Sequence, residues 1–292
     1  MTKRAGVGAI GMLVHPGNPA ARETARRIRE RLDADAIPCW EESTRATDVA
    51  ESRLAATRLL LVLGGDGSLM RAAQLTAPRD IPVVAVSLGR LGFLAELTPE
   101  NAVDLLPQFL AGNYWLDRRI MLEVTVAHAD GTTQTVLAAN DAVVTNPKPS
   151  RVLDITLTVD EAAVTTFVAD AFIVSTPTGS TAYNLAAHGP IVAPWTQTMI
   201  LTPVAPHLSS IDTLVISSDA RVTLNASSRE GAVLTSDGQL DIPLVTGDLV
   251  HICASRHTLA LARVNPRNHF YRTLVSRLIR REQWTTDVPG SV

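Results

Sequence analysis

The segment Gly64-Gly65-Asp66-Gly67-Ser68 constrains the fold more than any other part of this chain. It follows the apolar run Leu59-Leu60-Leu61-Val62-Leu63 and precedes Leu69-Met70-Arg71-Ala72-Ala73, so a buried strand enters a glycine-rich turn and a helix leaves it. The first N–H groups of a helix lack intrahelical partners and suit a phosphate, and glycines let the backbone approach it closely. An acid inside such a turn repels the ligand; it is useful if it accepts a proton from a hydroxyl or helps hold a divalent cation. That combination points to phosphoryl transfer. The same residues also make an ordinary tight strand–helix turn, with Asp66 a solvated turn residue. No Gly-Lys-Ser/Thr follows, so this is not a Walker loop, and Gly-x-Gly-x-x-Gly does not fit.

A chain of 292 residues makes one large domain or two ordinary ones, and 46% hydrophobic against 19% charged residues indicates a well-buried globular protein. A formal charge of −3 gives no sign of a nucleic-acid binder. Cys39 and Cys253, the two cysteines, are far apart in sequence, which favours a reduced, cytoplasmic setting and argues against a zinc site. Lys3-Arg4 and the residues after it faintly resemble a signal peptide, but three glycines break the apolar run, and a first strand explains it better. No run reaches membrane-spanning length.

Residues 1–117 alternate strand and helix signals. Strands are expected at Val7–Val14, Ile37–Trp40, Arg58–Leu63 and Pro82–Ser87, and helices at Ala20–Leu32, Leu69–Thr76 and Pro99–Leu110. This is a parallel, Rossmann-like α/β pattern. From residue 118 to 265 short alternating runs predict an all-β second domain, with hairpins at Met121–Ala127/Gln134–Ala138 and Val152–Val159/Val164–Ala169. Further strands are expected at Thr213–Ser217, Arg221–Ala226, Val233–Thr235, Ile242–Val245 and Leu249–Ala254. Residues 266–292 revert to helix, Asn268–Arg281, which returns to the first domain. Arg277, Arg280 and Arg281 read as a solvated charge cluster there.

Ser175-Thr176-Pro177-Thr178-Gly179-Ser180-Thr181-Ala182-Tyr183 is the second unusual stretch. Small residues permit close approach of a flat ligand, hydroxyls can read sugar and base edges, and Tyr183 can pack on a ring. The alternative is a capped Ser/Thr-rich turn.

These two stretches together resemble the NAD kinase family, whose Gly-Gly-Asp-Gly and Ser-Thr-Pro-Thr-Gly-Ser-Thr-Ala-Tyr motifs they match. Leu88-Gly89-Arg90-Leu91-Gly92-Phe93-Leu94, Asn140-Asp141, Gly189–Val192, Leu201–His207, Asp237-Gly238-Gln239 and Phe270–Leu274 resemble further family elements in the same order. The glycine-rich loop alone is shared with phosphofructokinases and lipid kinases.

The resemblance implies transfer of the ATP γ-phosphoryl group to the 2′-hydroxyl of the adenosine ribose of NAD, with a divalent cation, normally Mg²⁺. It implies Asp66 as general base and Gly64, Gly65, Gly67 and Ser68 as the phosphate cradle. Asn140, Asp141 and Asp170 would bind the ribose and nicotinamide parts. Thr181, Ala182 and Tyr183 would line the adenosine side, with Phe93 near the adenine. Gly67, Arg71, Arg151, Asn184, Ala186 and Gln239 complete the implied NAD-binding set. No residue is assigned as a metal ligand, because phosphates and water would hold the cation. A homodimer or homotetramer is implied, with no nucleic-acid or membrane partner.

The sequence departs from the family pattern at Ser68 (usually Thr), Ser87 (usually Asn), Asp141 (usually Glu), Ala171 (usually Gly), Val168 (basic in some members) and Ile211-Asp212-Thr213. Ala171 would be strained if that position needs positive φ. The departures motivate a rival reading, a non-catalytic NADP(H)-binding protein. His15, His207 and His269 read as structural, and Trp40, Trp115, Trp195 and Trp284 as packing residues.

Overall fold

The computed structural model describes residues 8–46, 49–89, 92–148, 151–207, 212–228 and 230–282. Arg90, Leu91, Ile211 and Trp284, Val7 of the first expected strand, and the side chains of Arg280 and Arg281, lie outside the described residues. The chain divides into two compact units: residues through Ala72, Ile81–Asp117 and from Ala260 on form the first, and Ala73–Asp80 with Arg118–Leu259 the second.

In the first unit, β1 (Ala9–Val14) leads through α1 (Pro19–Ala34) to β2 (Cys39–Ser43), then through the short α2 (Glu51–Ala55) to β3 (Thr57–Leu63). Helix α3 (Asp66–Thr76) precedes β4 (Val83–Val86) and α4 (Ala102–Leu110). The strands are parallel in the order β2-β1-β3-β4. Residues Leu59–Leu63 are all at most 2% exposed, as expected of a strand covered on both faces. Asn18 caps α1 by accepting the Ala20 N–H at 2.9 Å, and Pro19 sits at the first turn, where its missing donor does no harm. Ala21, Ala25, Ile28 and Leu32 pack on Ile10, Met12 and Leu61. The chain runs from β1 to β2 on one side and then crosses back to β3 and β4 on the other, so the order reverses between β1 and β3. In open α/β sheets that crevice, at the carboxyl ends of the strands, is where ligands bind. Asp66 follows β3 at that edge.

The second unit is antiparallel. The hairpin β5 (Trp115–Ala127)/β6 (Thr133–Ala138) forms where expected, with Leu122 opposite Ala138 through Ala127 opposite Thr133. β7 (Asp141–Thr145) follows, then the hairpin β8 (Leu153–Val159)/β9 (Ala162–Ala169), then β10 (Ala171–Ser175). The one-turn α5 (Tyr183–Ala186) precedes β11 (Thr198–Val204), β12 (Leu214–Ser217), β13 (Val222–Ser227), β14 (Ala232–Ser236), β15 (Leu240–Leu244) and β16 (Leu249–Arg263). One layer runs β12-β11-β10-β7-β14-β15, and the other pairs β13 with β8 and with the first half of β16. Their inner faces share a core that includes Leu122, Val144, Leu157, Phe167, Phe172, Leu201 and Ile252. Phe167 and Phe172 meet with ring centroids 5.2 Å apart.

Four expectations change. β7 and β11 are strands that the sequence pattern does not announce, because Asp141–Thr145 and Thr198–Val204 are buried along most of their length and lack alternation. β16 runs nine residues past Ala254; its end pairs in parallel with β4, Leu261 opposite Val83, so the return to the first unit begins at Ala260 rather than 266. Residues 73–80 group with the second unit. Lastly, α6 (His269–Glu282) carries Arg277 buried, not solvated, while Tyr271 and Val275 are 54% and 58% exposed.

Candidate active site

In the first unit the glycine-rich loop is built as a helix start. Gly64 N–H donates to Val86 O at 3.1 Å, which ties the loop to β4. Gly65 O accepts from Ser68 N (3.0 Å) and Leu69 N (3.3 Å), closing the first turn of α3. Asp66 therefore begins the helix, where the positive end of the macrodipole favours a carboxylate and an arriving phosphate alike. Gly65 and Gly67 are exposed; Asp66 and Ser68 are half-buried. Arg71, in the second turn of α3, donates Nε and Nη2 to Ala46 O at 3.2 and 2.9 Å, so its guanidinium is anchored to the chain.

Gly92 closes over Asp66. A Cβ at position 92 would come within 2.9 Å of Asp66 Cγ, so a side chain there would displace the Asp66 carboxylate. The next two residues are held from behind. Phe93 O accepts from Arg277 Nη1 at 2.9 Å, and Leu94 O accepts from Arg263 Nη1 at 2.9 Å. Glu96 fixes this corner by accepting Val264 N (2.8 Å), Asn265 N (2.7 Å), Asn265 Nδ2 (2.9 Å) and Arg263 Nη1 (3.1 Å).

In the second unit the Ser175–Tyr183 turn and the Asn140-Asp141 pair are brought together. Thr176 N donates to Asn140 O at 2.8 Å, and Thr176 Oγ1 donates to Ala139 O at 2.6 Å. Gly179 lies on the same carbonyl: a Cβ there would sit 2.6 Å from the Asn140 carbonyl carbon. Asp237, at φ 51°, accepts the backbone N–H groups of Ala139, Asn140 and Asp141 at 2.8, 2.7 and 3.1 Å. Burial, partly offset by these three donors, pushes its carboxyl above the usual range. Asp141 is 5% exposed, and burial together with the neighbouring Asp237 pushes its carboxyl up to about 7.

The hydroxyls of the turn are not offered to solvent. Ser175, Thr176, Thr178, Ser180 and Thr181 are all buried, and Ser180 Oγ donates to Pro177 O at 2.7 Å. A buried hydroxyl takes the nearest backbone acceptor, so these groups shape the turn. Asn184 is likewise fully buried. Its Nδ2 donates to Ser180 O (3.1 Å) and Pro190 O (3.0 Å), and its Oδ1 accepts from Thr202 Oγ1 at 2.8 Å. Its side chain therefore organises the loop that carries the rest of the expected NAD-binding set. Tyr183 is 44% exposed; Ala186, Asp170 and Arg151 are exposed. Thr145 Oγ1 donates to Asp170 O at 3.2 Å. Gln239 borders a cavity of about 310 Å³ with Gln74, Leu137 and Ser236, and Gln74 Nε2 donates to Leu137 O at 2.6 Å. Ala171 is an ordinary extended residue at the head of β10, at a position that does not take positive φ.

Sequence reasoning missed the anchoring role of Asp237 and the Glu96–Arg263–Arg277 framework. A signal for Arg277 was present: it lies three residues after Leu274 and seven after Phe270, on the apolar stripe of α6. For Asp237 the cue was the family-like Asp237-Gly238-Gln239 element, which marks the position but not the three backbone N–H groups it accepts.

An open parallel sheet with a glycine-rich helix start and a β unit with a Ser/Thr-rich turn define the architecture of a two-unit nucleotide-binding protein. The family model of the ATP-NAD kinase N-terminal domain matches residues 11–114, and that of the ATP-NAD kinase C-terminal domain matches residues 139–264. The NAD kinase of Dehalococcoides mccartyi (strain CBDB1) is 37% identical over 270 residues, covering 92% of this chain and 95% of that protein. The NAD kinase of Heliobacterium modesticaldum is 39% identical over 278 residues, covering 92% and 98%. Among solved structures, an NAD kinase from Archaeoglobus fulgidus in complex with ATP superposes with TM-score 0.75 at 26% identity, covering 93% and 98%. Yeast NADH kinase complexed with NADH has the same fold, with TM-score 0.80 at 21% identity, covering 99% and 91%. The chain belongs to the NAD kinase family.

Proposed function

We propose that this protein transfers the γ-phosphoryl group of ATP to the 2′-hydroxyl of the adenosine ribose of NAD, giving NADP, with Asp66 accepting the hydroxyl proton. The observation that carries the reading is the placement of Asp66: an acid in the first turn of α3, at the carboxyl edge of β3, with Gly92 closed over it. A ribose hydroxyl is a weak acid, so its proton moves late, as the phosphorus–oxygen bond forms, and a carboxylate within hydrogen-bond reach suffices. Gly64, Gly65, Gly67 and Ser68 present the helix start to the phosphates, and Phe93 lies near the adenine. Asn140, Asp141 and Asp170 bind the ribose and nicotinamide parts; Thr181, Ala182 and Tyr183 line the adenosine side. Positioning supplies much of the rate.

A divalent cation fits as one carried by the nucleotide. Phosphate oxygens and water would hold it, with Asp66 the acid at the helix start. Bound Mg²⁺ would neutralise charge developing on the phosphates. Among the described residues no helix is long and apolar enough to cross a membrane. A cytoplasmic homodimer or homotetramer completes the proposal.

The unstrained Ala171 removes one motive for a non-catalytic NADP(H)-binding reading. The test is incubation of purified protein with NAD or NADH, ATP or polyphosphate, and Mg²⁺, scored for 2′-phosphorylated product. NADP from NAD and ATP is expected. Tight NADP binding with no turnover on any donor would contradict it.

A further inference from the structure

The C-terminal return of the chain enters the first unit through two arginines that seize adjacent carbonyls. Arg263, at the end of β16, holds Leu94 O; Arg277, on α6, holds Phe93 O. Both are buried, at 7% and 9% exposure. Arg263 is neutralised by Glu96 at 3.1 Å and Asp117 at 3.5 Å. Arg277 is placed differently. Its Cζ lies 5.7 Å from the centroid of the Phe93 ring, and its buried Nε has no hydrogen-bond partner among the described residues. Burial, with Arg263 nearby, pushes its guanidinium below the ordinary value, while Asp66 and Glu96 push it back up. A buried cation with an unmade hydrogen bond is costly, so its retention calls for a use beyond packing.

The residue it holds adjoins Gly92, whose backbone lies against the Asp66 carboxylate. We propose that Arg277 is a positioning residue for the phosphoryl acceptor: by gripping the Phe93 carbonyl and facing its ring, it sets Gly92 and Phe93 against Asp66 and so fixes both the adenine and the base. The proposal rests on the reading of Asp66 and Phe93 given above. Arg263 and Glu96 form the frame from which this grip is exerted. Truncating Arg277 would free the Phe93 carbonyl and let the segment move, and sub-ångström looseness at a reacting group lowers rate steeply.

The test compares Arg277→Met, which keeps length without charge, with Arg277→Lys and with Val275→Ser on the exposed face of α6. Affinity for NAD is measured by calorimetry without ATP, followed by kcat and the KM of each substrate. Arg277→Met is expected to weaken NAD binding about tenfold and to lower kcat at least tenfold, with the KM for ATP within about twofold. Arg277→Lys should recover part of both, and Val275→Ser should match the parent. If Arg277→Met folds poorly, Arg277→Lys carries the test, with an intermediate loss in NAD affinity expected. Parental NAD affinity in a folded Arg277→Met or Arg277→Lys protein would overturn the proposal, as would equal losses in the NAD and ATP parameters. Because binding is read without turnover, failure of the Asp66 assignment, which Asp66→Asn reports, is distinguishable from failure here.

Discussion

Asp237 Oδ1 accepts the backbone N–H of Asn140 at 2.7 Å, across 97 residues of sequence. With the bonds from Ala139 and Asp141, one carboxylate shapes the loop that presents the proposed ribose-binding pair. Charge-assisted bonds of this kind are the stronger ones. Asp237→Asn should destabilise the fold by about 2 kcal/mol and weaken NAD binding, measured by urea unfolding and calorimetry. Unchanged affinity would show that the loop holds its shape without the carboxylate.

Burial, with Asp237 beside it, pushes the Asp141 carboxyl up to about 7 from an ordinary value of 3.8. The folded state therefore binds this proton more tightly than the unfolded chain. Its contribution to stability is complete below about pH 4, falls as pH rises toward 7, and is flat above. Each tenfold gain in proton affinity on folding is worth about 1.4 kcal/mol, so the loss across that range is on the order of a few kcal/mol. Asp141→Asn should raise the melting temperature relative to the parent at pH 8 and change it little at pH 4. An equal change at both pH values would contradict the assignment.

A methyl group at Gly92 would push the Asp66 carboxylate from its place. Gly92→Ala should lower kcat for NAD phosphorylation at least tenfold while leaving the melting temperature within a few degrees, because the clash falls on the site and not on the core. Parental kcat would mean that the loop relaxes freely.

Asn184 bridges Ser180, Pro190 and Thr202 from a fully buried position. Asn184→Ala leaves those groups unpaired and should cost on the order of 3 kcal/mol in stability. Loss of NAD affinity with stability intact would instead restore the side chain as a direct contact.

Much of the α/β unit was legible because its signals are local: the run Leu59–Leu63 reads as a buried strand, and the glycines after it read as a turn into a helix. The hairpins announced themselves through alternation around Ala129-Asp130-Gly131. β7 and β11 hid because strands buried on both faces lose period 2. The site divides along the same line. Asp66 is marked by its own neighbours in sequence. The hydroxyls of Ser175, Thr176 and Ser180 donate to the carbonyls of Asn140, Ala139 and Pro177, pairings that a sequence does not reveal. The grip of Arg277 on Phe93 joins residues 184 apart, and only the folded chain reveals such a pairing.

The most direct measurement is NADP formation by Asp66→Asn, alongside its affinity for NAD. The expected result is a kcat reduced at least about a hundredfold with NAD affinity within about threefold of the parent, since the amide keeps the size and loses the proton acceptor. Turnover at the parental rate would contradict Asp66 as the base.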